Sequence, residues 1–230
     1  FKQFSVSSLK RHGGDVAEEY LRELQSIQGV QLYKEMGNDP VIAAVLQAVK
    51  MTLRRIQWFA NAPGSGREEE VDFLNQCMED MSITFVDTID QALSMLQYGF
   101  APFEKIYKIR RGDGTGRPGP KTAISRYNDG KIGWRKFELI GQDTLAPGNA
   151  WIFDEDDGGL MGCNQMPPIG VPYPMGKMNY IPISIEKMVL FRTTTEKNNP
   201  EGRALLRSMY SSWFYSKNLT EIEAISAERM

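Results

Sequence analysis

The sequence predicts an α+β fold with a mainly helical N-terminal half, an antiparallel β-rich middle and a long C-terminal amphipathic helix. Three observations predict it. Apolar residues recur at three- and four-residue steps through the first hundred positions. After Gly99 the spacing changes to alternation broken by Gly- and Pro-rich connections, and from Arg203 the helical spacing returns. Helices, then strands, then one long helix is not the repeating βαβ order of a parallel sheet.

Taken in order, Asp15 is read as the cap of a helix carrying Val16, Tyr20, Leu24 and Ile27 on one stripe, with Gly29 ending it. Asp39 and Pro40 restart the chain as N-cap and first-turn residue. The helix they open, Val41 to Phe59, is the most apolar of the chain, with Ile42, Val45, Leu46, Val49, Leu53 and Ile56 as its stripe and Trp58 and Phe59 at its exit. A loop at Ala62 to Gly66 precedes two further helices, near Glu68 to Met81 and Phe85 to Tyr98.

Phe100 to Arg111 alternates and predicts a strand. Gly112 to Pro120 holds four glycines and two prolines and predicts a mobile loop. Asn128-Asp129-Gly130 predicts a hairpin between Ile124 to Tyr127 and Lys131 to Leu139. More strands are expected at Ala150 to Phe153, Leu160 to Gln165 and Met188 to Thr194. Asn199-Pro200-Glu201 predicts the start of the last helix, because Asn caps, Pro lacks the unneeded N–H and Glu suits the positive end. Leu206, Met209, Trp213, Ile222 and Ile225 form its apolar spacing. That pattern is still running at Met230, and the chain starts at Phe1, so a piece of a longer protein is expected.

A chain of 230 residues suffices for a substantial core, and 41% hydrophobic with 24% charged residues is ordinary for a globular protein. Neither a membrane-span run nor a signal-peptide core is present, so the default context is the cytoplasm. Cys77 and Cys163 without a CxxC, and with His12 as the single histidine, do not form a zinc motif and read as reduced bystanders. Lys and Arg total 27 against 29 Asp and Glu, which gives no hint of a protein that wraps nucleic acid by bulk charge. Locally, ten basic residues against three acidic ones lie between Glu104 and Lys136. Lys108, Arg110 and Arg111 are therefore read as an exposed basic ribbon able to touch phosphates, with plain solvated charge as the alternative.

Gly114 to Gly119 matches GxGxxG, and Lys121-Thr122 follows, so a nucleotide- or phosphate-binding enzyme built on residues 112 to 122 is the rival reading. Pro120 and the strand-like residues after it oppose the helix start that such a loop needs. Asp154 to Asp157 begins like a calcium loop but has Gln165 where the bidentate Glu belongs, and reads as a solvated acidic turn. No nucleophilic triad can be assembled around His12. No catalytic residue, cofactor or metal is expected. Trp213, Phe214 and Tyr215 are consecutive, and three successive helical residues spread over about 200 degrees, so they cannot all face one core. Tyr210, Trp213 and Phe214 are the candidates for a subunit interface.

Three blocks together resemble the Mu-like branch of tailed-phage portal proteins: Leu32 to Ile42 with the apolar helix ending at Trp58, Ile89 to Tyr107 with its helix-Gly-aromatic strand, and Asn199 to Arg229. The resemblance covers about residues 32 to 230. It implies an N-terminal arm and helix at 1–31 and a wing region at 32–230 leading toward a stem, with stem, clip and crown outside this sequence. It implies a non-enzymatic subunit of a ring of roughly a dozen copies at a capsid vertex, assembled in the host cytoplasm and carried in the virion. The partners implied are the major capsid protein, the terminase motor, a head-tail adaptor and double-stranded DNA passing without sequence-specific recognition, with no membrane.

Overall fold

The computed structural model describes residues 7–64, 66–112, 124–167 and 180–229. The architecture is α+β, as expected. A short hairpin, β1 (Arg11–His12) and β2 (Asp15–Val16), precedes five helices: α1 (Ser26–Met36), α2 (Pro40–Arg54), α3 (Glu68–Glu79), α4 (Phe85–Ala92) and α5 (Met95–Tyr98). The strands are β3 (Phe100–Ile109), β4 (Ile132–Leu139), β5 (Trp151–Phe153), β6 (Leu160–Gln165), β7 (Ile181–Ser184) and β8 (Met188–Arg192), and α6 (Tyr210–Glu228) closes the chain. Two three-stranded antiparallel sheets result, ordered β4-β3-β8 and β5-β6-β7.

Where local chemistry suffices, the elements fall as the sequence predicts. The Asp39 carboxylate accepts from the Val41 and Ile42 N–H groups with Pro40 in the first turn, and Thr84 caps α4 by accepting from the Asp87 N–H. β3 is buried through Phe100, Ala101, Pro102 and Phe103. Its Ala101 and Phe103 pack with Ala92 and Phe191 on one side, whereas Phe100 joins Trp151, Cys163 and Val30 in the core over the second sheet. A third core binds α1 and α2 to the approach of α6 through Tyr33, Met36, Ile42, Leu46, Ala204 and Leu206.

Three local expectations are corrected. Asp15 does not cap a helix: it pairs with His12 in the β1–β2 hairpin, Tyr20 is 90% exposed, and the first α-helix starts at Ser26. Gly29 lies inside α1 rather than ending it, and a Cβ there would sit 2.4 Å from the Leu24 carbonyl oxygen, so close packing requires the glycine. Asn128-Asp129-Gly130 turns the chain into β4, with Gly130 at φ +70°, but the other arm of the hairpin is β3, not Ile124 to Tyr127.

The last helix also begins later than its sequence start. Asn199 Oδ1 accepts from the Glu201 N–H, and Gly202 at φ +59° completes a turn. A 3₁₀ segment, Leu205–Met209, then leads into α6 at Tyr210. The Asn-Pro-Glu-Gly chemistry serves a turn as well as a cap. Here Gly99 and Gly202 decide, because each glycine's Cβ position is filled by the other segment's backbone.

Candidate interaction surfaces

The two groups of residues singled out from the sequence have different fates. Lys108 and Arg110 are not an exposed ribbon: they are 6% and 1% exposed, and only Arg111 faces solvent. The Lys108 ammonium donates to the Asp80 and Ile124 carbonyls and pairs with the Asp80 carboxylate at 3.0 Å. Asp80 also accepts from the Ser125 hydroxyl at 2.6 Å and the Arg126 N–H at 2.8 Å. Burial pushes the Asp80 carboxyl up, but these hydrogen bonds and the ammonium outweigh it and leave its pKa below the ordinary value. The pair thus staples the end of α3 to β3 and to the segment entering at Ile124.

Arg110 does similar work one turn of the strand further on. Its guanidinium lies 4.0 Å from the Tyr127 ring centroid and 5.0 Å from that of Phe73, donates to Gln76 Oε1 at 2.7 Å and pairs with Asp129 at 3.1 Å. Positive residues on an alternating strand carry no mark of burial, since the carboxylates that neutralise them come from distant positions. Arg110→Ala is expected to lower stability by about 2–3 kcal/mol and Arg111→Ala by no more than about 0.5 kcal/mol. Urea melts of the two variants test this, and equal midpoints would return Arg110 to the surface. The Gly-rich 112–122 motif lies, apart from Gly112, outside the described residues.

Tyr210 and Trp213 pack against their own subunit's third core. The Tyr210 hydroxyl donates to Glu23 at 3.3 Å, Lys217 pairs with Glu35 on α1 at 2.6 Å, and Arg207 pairs with Glu19. These contacts fix the root of α6. Phe214 is 43% exposed, and beyond Lys217 the apolar Leu219, Ile222 and Ile225 remain 61%, 60% and 51% exposed. No residue of α6 is buried.

A second apolar surface went unread in the sequence. α2 buries Ile42 and Leu46, yet Val41, Val45 and Met51 are at least half exposed, and Ile56, Trp58 and Phe59 continue the patch beyond its end. The signal was available: apolar or small residues occupy 41, 44, 45, 48 and 52 as well as 42, 46, 49 and 53, and a helix apolar on both sides needs two partners.

Glu201 was read as a helix-start residue and instead sits under the root of α6, accepting from Trp151 Nε1 at 3.2 Å. Burial is the main cause that raises its carboxyl pKa to about 7; the Trp151 bond opposes it, and the nearby Asp15 and Glu19 add to it. The folded-state pKa thus exceeds the ordinary 4.5, so the fold binds a proton that the unfolded chain releases between about 4.5 and 7. Stability contributed by this group is full below that window and lost as pH rises through it. Glu201→Gln, which keeps an acceptor for Trp151, is expected to raise stability at pH 8 by about 1–3 kcal/mol and to flatten the profile across the window. Urea midpoints at pH 5 and 8 decide, and an unchanged pH slope would remove Glu201 from the account.

Among the described residues no group of three or more His, Cys, Asp or Glu could hold a metal ion. Asp154 accepts from the Asp156 and Asp157 N–H groups and so closes its own turn. An open cleft of about 470 Å³ beside Arg11, Trp151, Phe153 and Glu155 contains no nucleophile with a base beside it. The largest exposed features among the described residues are the apolar helix surfaces of α2 and α6. No helix among the described residues is long and apolar enough to cross a membrane.

No curated protein matches the chain. The family model described as portal protein of Mu bacteriophage matches residues 30–230, which includes both sheets, α2 and α6. The chain belongs to the Mu-like phage portal protein family.

Proposed function

We propose that this chain is the wing-bearing part of a portal subunit that closes, with roughly a dozen copies, into the ring at one capsid vertex through which double-stranded DNA is packaged and ejected. Family membership gives the portal role and places the protein among virion components. The observation that supports the finer reading is the pair of exposed apolar faces on α2 and α6, which no described residue covers, two different surfaces of one chain. A closed ring needs two such surfaces, because each subunit meets its neighbours head to tail.

The chain acts by shape and performs no reaction of its own. Duplex DNA must slide without being gripped, and a net charge of −2 suits a conduit better than a strongly basic surface would. The arm at 1–31, the wing at 32–230, and contacts with the major capsid protein, terminase motor and head-tail adaptor belong to this same reading. Gold-labelled antibody against residues of the chain, applied to opened virions, is expected to mark one vertex per particle. Label spread over the shell, or on no particle, would overturn the assignment.

A further inference from the structure

Independently of the ring reading, we propose that Glu201 is a proton-operated latch on the root of α6. As a neutral acid it holds that root, residues 199–209, against the N-terminal arm and β5, and as a carboxylate it lets the root detach while both sheets stay folded. The position joins several segments. The Glu201 carboxyl accepts from Trp151 Nε1 of β5 at 3.2 Å, and the Ser26 N–H at the start of α1 is turned toward it. Ser26 holds φ +51°, a left-handed conformation unfavourable for a residue with a side chain. Gln25 supplies no side-chain cap to α1, so the Glu201 carboxyl serves that helix end instead.

The junction is short of positive charge. Asp15 and Glu201 line one small cavity. Asp15 Oδ2 accepts from the Gly148 N–H, but Oδ1 is buried and has no hydrogen-bond partner among the described residues. The charged and titratable groups around Glu201 are Asp15 on β2, Glu18 and Glu19 after it, Tyr33 on α1, Tyr98 on α5, and Arg203 and Arg207 of the root. Glu18 takes Lys197, Glu19 takes Arg207, and Arg203 is exposed. No Lys or Arg among the described residues pairs with Asp15 or Glu201. A proton on Glu201 is the charge this cavity lacks. Burial first, and after it the Asp15 and Glu19 charges, hold the Glu201 pKa at about 7 against the Trp151 bond.

The root is the part that can yield. It is a turn and a 3₁₀ segment with no strand partner. A cleft of about 80 Å³ lined by Glu18, Glu19, Asn199, Arg203 and Arg207 already runs between it and the arm. The ion pairs beside it are partly exposed and therefore weak. Neither core over the sheets contains a residue after Phe191, so opening the third core alone relieves the ionised carboxyl.

The test is hydrogen–deuterium exchange of the full-length gene product between pH 5 and pH 8, read as protection factors so that the chemical exchange rate's own pH dependence divides out. Protection of residues 193–209 is expected to fall on the order of 50-fold from pH 5 to pH 8 while β3, β4 and β6 keep theirs. Glu201→Gln, which keeps an acceptor but cannot ionise, is expected to give root protection independent of pH. Asp15→Asn, which keeps an acceptor for the Gly148 N–H, is expected to move the midpoint of the fall to lower pH, and it decides should the first variant fail to fold. Root protection that does not change with pH, a fall of equal size in both sheets, an unaltered fall in Glu201→Gln or an unmoved midpoint in Asp15→Asn would each overturn the inference. So would restored protection at pH 8 on adding millimolar calcium or magnesium, since a cation and not a proton would then fill the cavity. The readout lies within one subunit, so its failure leaves the ring reading standing, and an absence of rings leaves the latch standing.

Discussion

Lys108→Ala is expected to destabilise the folded subunit by about 3–5 kcal/mol, the range for removing one partner from a buried ion pair. The magnitude follows from what remains. Asp80 is buried, its carboxylate stays charged at neutral pH, and the Asp80 and Ile124 carbonyls each lose a donor. Ser125 and Arg126 would still donate to Asp80, which keeps the loss below that of an isolated buried charge. Replacing both partners, Lys108→Met with Asp80→Asn, is expected to cost less than the two single changes added together. Because the Asp80 pKa is lowered in the fold, its contribution is present above the ordinary carboxylate range and is lost as pH falls through that lowered value. Urea denaturation of the four proteins at neutral and acidic pH measures all of this, and simple additivity would show that the pair is not coupled.

The second large effect is expected at Gly99, where α5 ends and β3 begins. Its φ of +94° is unfavourable for any side chain, and an added Cβ would lie 2.5 Å from the Glu201 carbonyl oxygen and 2.9 Å from the Ala204 nitrogen. Both obstacles are backbone, so no rotamer change relieves them. Strained φ and overpacking together give Gly99→Ala a cost of about 2–5 kcal/mol. Gly112→Ala is the control: its φ is +67°, but its nearest new contact is 3.7 Å away, so only the conformational part, about 1–2 kcal/mol, is expected. Equal losses in the two variants would show that the close approach of residues 201 to 204 to Gly99 contributes nothing. Since those residues carry the root of α6, Gly99→Ala should also impair assembly more than its stability loss alone would.

What the sequence revealed follows from where the deciding interactions lie. Asp39-Pro40 specifies the start of α2 within four residues, and Leu160 to Gln165 forms a strand where the sequence places one, although Gly162, Cys163 and Asn164 are buried in succession rather than in alternation. The single stripe expected on α6 is split in the structure, with Leu206 and Trp213 at the core and Ile222 and Ile225 exposed. The fates of Lys108 and Arg110 are not legible in the sequence, since Asp80, Gln76 and Phe73 are about 30 positions away and only the tertiary fold turns a basic run into a buried network. Asn199 to Gly202 shows a different limit: one set of residues satisfies both a helix cap and a tight turn, and the choice is made by Gly99, a hundred positions earlier. Tyr210 and Trp213, read as interface candidates, meet their own core, and the exposed apolar surface lies from Phe214 onward and on α2.

Electron microscopy of the purified full-length gene product tests the central claim most directly. Annular particles of roughly a dozen subunits around an open channel are the predicted result. Monomers at assembly concentrations, or compact particles without an opening, would contradict it.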